Sequence, residues 1–400
     1  MRLPEPRGPV SRALIDALRG VPAALPTRLV DAGRDSPIRT GAGAEPAPPV
    51  DALRDEDLQL ALFACYELHY RGWDGVDDRW EWEPSLLALR AHLEERFERS
   101  LRRLTGPPPP VRPEDVPRVL TALVEADDGP SLATELQRRA TREQFREFVC
   151  HRSVYHLREA DPHTWAVPRL GGPAKAALIE IQLDEYGGGR LSRMHAQLFH
   201  DTMAWLGLDT RYGAHVDAVP AVTLAVNNLM SLFGLHRRWR GALLGHLAAF
   251  EMTSALPNRR YGDGLRRLGG TPEATRFYDE HVEADAVHEQ IAAYDMCGSF
   301  VAAEPTAAQD VWFGAACCLA LERLFAEHLL ASWSAGRSSL RTSIPVTPRS
   351  GVPPVGTGAR RATAARPADG TDAAGRAPVD VADPAGPTTG ARPLPAPAGR

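Results

Sequence analysis

The sequence predicts an all-α protein, and three observations carry that prediction. Apolar residues recur at helical spacing through most of the chain, as at Leu58, Leu62, Phe63 and Tyr66. Strand-like alternation is nearly absent. Pro, Gly and capping residues punctuate the segments where helices would start and stop. No internal repeat interrupts this pattern, so a helical bundle is the expected architecture.

The elements follow in order. The first fifty residues hold one short amphipathic piece, Val10 to Leu18, and then a Pro/Ala/Gly-rich run, so segment 1–50 is expected to be mostly disordered. Segments 53–70 and 85–104, the second opening after Pro84 with a Ser cap, form a helical extension over 51–105. A Pro-rich linker covers 106–113. The main bundle is expected over 130–341. It opens at Pro130-Ser131 and continues with a long amphipathic helix over 141–160, ended by Asp161-Pro162. A helix over 173–186 is interrupted by Gly187-Gly188-Gly189 and resumes over 190–206. Helices over 219–235 and 237–256 follow, the latter ended by Pro257, with a short piece over 261–268. Thr271-Pro272-Glu273 reads as an N-cap, an N1 proline and an acidic first turn, and it introduces a helix reaching Cys297. The last helix runs from Pro305 to Trp333. Segment 344–400 is Pro, Gly, Ala, Thr and Arg with almost no large apolar side chain, and reads as a disordered tail.

Composition excludes several function classes. A net charge of −5 over 400 residues gives no sign of nucleic-acid or polybasic membrane binding. No apolar run reaches the ~18–20 residues of a membrane span, and no signal peptide is recognisable. The five cysteines are scattered in apolar helical segments with no CxxC pair, which fits buried thiols in a reducing cytoplasm.

One stretch carries chemistry. His281, Asp285 and His288 stand at i, i+4 and i+7, so their side chains share one helix stripe. Imidazole and carboxylate are donors for iron, manganese or zinc. Three upstream segments add similar donors. Glu251 lies in an otherwise apolar run, where a carboxylate must be paired, protonated or metal-bound. Glu185 and His195 are ten residues apart, roughly 80° around an unbroken helix, with the three glycines free to re-aim one of them. Glu159 ends a helix as a further candidate, while His246 lies roughly 140° around its helix from Glu251 and is left out. Glu185, His195, Glu251, His281, Asp285, His288 and Glu159 thus form the candidate metal set. It contains no thiolate, which suits iron or manganese better than zinc. A ferritin-like site wants Glu-x-x-His on two helices; Ser254 and Gly188 occupy the +3 positions after Glu251 and Glu185. Phe199, Met203, Tyr186 and Met252 lie near these donors in sequence and are candidates to line a substrate pocket.

These residues resemble a known family, the iron-containing redox enzymes of the haem-oxygenase-like di-iron oxidase and oxygenase superfamily. The resemblance runs from Glu143 to Trp333. It rests on Glu159-Ala160-Asp161-Pro162-His163, on Glu180 to Gly189 with Arg193-Met194-His195, on Glu251, and on His-x-x-x-Asp-x-x-His at 281–288. Leu68 to Trp73 and Trp80-Glu81-Trp82 resemble an N-terminal extension found in one branch. The resemblance implies a haem-oxygenase-like bundle, two non-haem Fe ions with the residues above as ligands, Glu159 as an additional carboxylate, and O2 as co-substrate. It implies an iron-dependent oxidoreductase that oxidises a small-molecule substrate, as secondary metabolism uses, with no catalytic residue separate from the metal ligands and no organic cofactor. It identifies neither the substrate nor the electron donor, and it leaves a homodimer open. A non-catalytic helical scaffold with a degenerate site, or a metal-free enzyme of the same fold, are the rival readings.

Overall fold

The computed structural model describes residues 1–33 and 51–344, with the side chains of 284–286 excepted. Among the described residues every regular element is helical. None of their helices is long and apolar enough to cross a membrane.

The α-helices are α1 (Pro9–Leu18), α2 (Thr27–Ala32), α3 (Glu56–Glu67), α4 (Pro84–Thr105), α5 (Val116–Glu125), α6 (Leu132–Arg138), α7 (Arg142–His156) and α8 (Asp161–Thr164). They continue as α9 (Gly172–Glu185), α10 (His195–Leu206), α11 (Ala221–Leu235), α12 (Arg240–Arg267), α13 (Pro272–Gln290), α14 (Ser299–Ala303) and α15 (Ala308–Ser334). A π-helical stretch, Ile291–Gly298, joins α13 to α14.

At the centre α12 packs along α15 on one side and along α13 on another. The crossing with α15 is tight because Gly245 and Gly314 face carbonyls of the opposite helix. A Cβ at Gly245 would sit 1.9 Å from the Val311 oxygen, and one at Gly314 would sit 1.9 Å from the Ala242 oxygen. Backbones this close fix the position of α12, which carries Glu251. Helix α9 packs on the π stretch and α10 on α13, with α7 against α10, while α3 lies on α11 and α1 on α3.

Several starts follow the caps read in the sequence. Thr141 and Gln144 form a reciprocal capping box on α7, at 3.2 and 2.8 Å. Thr271 caps α13 by accepting the Ala274 N–H. Ser131 caps α6 by accepting the Thr134 N–H at 3.2 Å.

Other boundaries differ, each for a physical reason. Residues 1–33 are not disordered as expected. α1 buries Val10, Leu14, Ile15 and Leu18, and its first turn is held by a residue far away in sequence, because the Asp57 carboxylate accepts the Val10 and Ser11 N–H groups at 2.8 and 2.7 Å. The rest of that expected disordered segment, 34–50, lies outside the described residues, as does the expected tail from 345 onward. The cap of α4 is Glu83, whose carboxylate accepts the Leu86 N–H at 2.8 Å; Ser85 is the second residue of the helix and donates to the same carboxylate. The stretch between the Pro-rich linker and Pro130 contains α5, which packs on α15. Pro257 does not end α12. An interior proline costs about 3 kcal/mol, and packing against α6, α13 and α15 outweighs it. Nearby hydroxyls turn back onto the helix, Thr253 donating to the Ala249 oxygen and Ser254 to the Glu251 oxygen.

Candidate metal centre

The donors come from the turn after α7, the end of α9, the start of α10, and from α12 and α13. α7 stops at His156, four residues earlier than expected, and the chain turns through Ala160, whose φ of 73° is the left-handed conformation uncommon outside glycine. The turn aims Glu159 inward. His156 then reaches its carboxylate, Nδ1 to Oε1 at 2.7 Å.

Glu185 is the last residue of α9 and His195 the first of α10. The expected helix over 190–206 therefore starts five residues late, because the glycines break the helix and reverse the chain rather than kink it. Gly187 has φ 62°, and a Cβ there would lie 2.4 Å from the Arg193 carbonyl carbon and 2.5 Å from the Met194 nitrogen. No other residue fits that close return. The reversal brings His195 Nδ1 to 3.1 Å from Glu185 Oε2.

α12 contributes Glu251, and α13 contributes His281 and His288. Asp285 lies on α13, but its side chain is outside the described residues. His281 donates Nδ1–H to the Phe277 carbonyl at 2.7 Å, which leaves Nε2 directed at Glu159, 3.6 Å away. His288 places Nε2 3.1 Å from Asp184 Oδ2 and turns Nδ1 towards Glu251 Oε2 at 3.4 Å. Anchoring one ring nitrogen on a carbonyl or carboxylate is how proteins orient histidine as a metal ligand.

The donors fall into two groups. Glu159, Glu185, His195 and His281 each offer an atom within 4.8 Å of the others, and so do Glu185, Glu251 and His288. Glu185 belongs to both. Four of these atoms are buried without a hydrogen bond: Glu159 Oε2, Glu185 Oε2, His195 Nδ1 and His288 Nδ1. Glu185 Oε2 and His195 Nδ1 are near each other yet misaligned for a hydrogen bond. Leaving a buried polar atom unsatisfied costs roughly 1–3 kcal/mol, so four converging here fit a cation that satisfies them together. Two carboxylates with two imidazoles, and two carboxylates with one, suit iron or manganese. The five cysteines are all free, buried and outside both groups.

The electrostatics follow from crowding opposite charges out of water. Burial would raise the Glu159 carboxyl, but His156 and then His281 outweigh it and hold it well below the usual carboxylate range. Glu185 is likewise low despite burial, because of His195. His195 is correspondingly raised by Glu185 against the effect of burial. His288 is desolvated too, yet Glu251 and Asp184 lift it to about 9. At pH 7 its ring is therefore protonated in the metal-free protein, and a metal must displace that proton from Nδ1. Iron binding is accordingly expected to release protons, with apparent affinity rising as pH increases towards 9. Titration calorimetry in buffers of different ionisation enthalpy measures the release. An affinity flat between pH 6 and 9 contradicts it.

Reasoning from sequence missed the supports around these donors. His156 stands three residues before Glu159, a spacing that could have flagged it. Asp184 reads as part of an acidic turn. The Phe277 carbonyl gives no sequence signal.

A cavity of about 410 Å³ opens beside the donors, lined by Glu159, Glu185, Glu251 and His281 at one end. Tyr155, Phe250, Tyr261 and Tyr278 also line it, not Phe199, Met203, Tyr186 or Met252 as expected. Phe199 and Met203 are fully buried in the core, where Phe199 packs on Phe277 and His156.

Residues 146–323 match the model of a family described as iron-containing redox enzyme, so the resemblance drawn from the motifs holds over the helices that carry the donors. A stretch of 136 residues is 27% identical to a nitrosourea synthase of Streptomyces achromogenes subsp. streptozoticus. It covers 34% of this chain and 29% of that protein, so the match spans under a third of the relative's length. Of the two findings, it is the family description that speaks for an iron-containing redox enzyme.

Proposed function

We propose that this chain is a non-haem di-iron oxidase or oxygenase that uses O2 to oxidise a small organic molecule held in the 410 Å³ cavity. The observation that carries the reading is the pair of donor groups sharing Glu185, with four buried atoms left unsatisfied between them. Glu159, His195 and His281 would hold one iron and Glu251 and His288 the other, with Glu185 common to both groups. Asp285 shares the helix stripe of the two histidines in the sequence and is a further candidate ligand. When bound, two ferrous ions would supply two of the four electrons that full reduction of O2 takes, the rest coming from the substrate or an electron donor.

The residues of the chain do the rest. The Phe277 carbonyl and Asp184 fix the rings of His281 and His288. His156 holds Glu159 ionised and in place. The three described carboxylates, Glu159, Glu185 and Glu251, would offset most of the positive charge of two divalent ions at this buried site. The size of the cavity suits a small molecule. A relative named for making a nitrosourea is in keeping with a substrate from secondary metabolism. Five free, buried thiols are in keeping with a reducing cytoplasm.

The test loads the purified chain with ferrous iron under anaerobic conditions, counts bound iron and then admits O2. Two irons per chain and a transient visible absorption band are expected. Absence of iron favours a helical scaffold, and turnover without iron favours a metal-free enzyme of this fold.

A further inference from the structure

One turn before Glu185, on the same face of α9, stands Gln182. It is buried and lines the cavity. Its amide orientation is fixed from behind. Nε2 donates to the Ala160 carbonyl at 3.0 Å and to Thr164 Oγ1 at 2.7 Å. A carbonyl can only accept, so the nitrogen must face that wall, and Oε1 is the other arm. That oxygen is buried without a hydrogen-bond partner. The Tyr278 hydroxyl, further along the cavity wall, is also buried and unpartnered.

The guanidinium groups lining the cavity are already committed. Arg152 is bound to Glu322 through two hydrogen bonds, at 2.8 and 2.6 Å. Arg323 is bound to Asp127 and Asp128, both at 2.7 Å. Among the described lining residues each guanidinium thus already has a carboxylate, which leaves Gln182 Oε1 as a buried acceptor still to be satisfied.

We propose that Gln182 is a substrate-anchoring residue whose Oε1 accepts a hydrogen bond from an N–H or O–H group of the substrate. The proposal rests on the oxidase reading for its site, and it adds the chemistry of the group presented there. An acceptor desolvated in the empty cavity gains its partner only when a donor enters, so selectivity comes from the cost of leaving it unmade.

Three probes with one body and different heads test it: 2-phenylethylamine, 2-phenylethanol and ethylbenzene. Each is titrated calorimetrically into the anaerobic, iron-loaded full chain. The amine and the alcohol are expected to bind about tenfold more tightly than ethylbenzene, the scale of one unmade buried hydrogen bond. Gln182→Leu and Gln182→Met, which both lack the acceptor, are expected to close that gap while leaving ethylbenzene binding. A purely structural role would weaken all three probes together. A wild-type protein without the gap, or a gap that survives in either variant, overturns the proposal. If Gln182→Leu does not fold, the wild-type series and Gln182→Met decide it. Iron counted in the same samples separates the two readings: two irons with no gap overturns only this one, whereas a gap without iron overturns the di-iron assignment alone.

Discussion

Glu185→Ala is expected to empty both metal positions at once. Glu185 is the one residue common to the two donor groups, and its side chain sits between His195 on one side and the Glu251/His288 pair on the other. On the di-iron reading, removing it would take a shared carboxylate from both positions and the counter-charge that keeps His195 raised. Losing even an outer partner of a metal ligand costs about 10–100-fold in affinity, so loss of a shared ligand should exceed that. Iron measured after desalting should fall from two per chain to near zero, with O2-dependent oxidation lost. Helical circular dichroism should be retained, since the fold is held by the α12–α15 crossing and the surrounding core. A variant that keeps two irons would remove the bridging role.

His195→Ala and His288→Ala are expected to separate the positions. His195 belongs only to the group with Glu159 and His281, and His288 only to the group with Glu251. Each substitution should leave about one tightly held iron and abolish O2-dependent turnover, since one ferrous ion supplies half the electrons of a pair. The two proteins should also differ in protons released on loading. His288→Ala deletes the imidazolium that sits at about 9 and so removes the proton released from it. Proton release that is unchanged in His288→Ala, or loss of both irons in either variant, would show that the groups are not arranged as two positions.

Much of this architecture was legible in the sequence because it rests on local rules. Periodicity and caps such as Thr141 and Thr271 locate most helices, and donor chemistry selects Glu185, His195, Glu251, His281 and His288 for one site. What was hidden depends on contacts between distant residues. Asp57 caps α1 across 47 and 46 residues of chain. Packing on three sides carries α12 through Pro257, which local rules treat as a stop. The three glycines signal an interruption free to re-aim a donor, yet the close return at Gly187 is set by the Arg193–Met194 backbone, which only the folded chain brings near. The supports of the site were hidden for the same reason. Asp184 and Gln182 neighbour Glu185 on α9, but their partners, His288 and the Ala160 carbonyl, come from other elements.

The most direct measurement is anomalous scattering at the iron absorption edge from crystals of the full chain loaded with ferrous iron without air. Two peaks should appear on either side of Glu185, one against Glu159, His195 and His281, the other against Glu251 and His288. A single peak elsewhere, or none despite saturating iron, would contradict the di-iron centre and leave a helical protein whose acidic and imidazole groups serve another purpose.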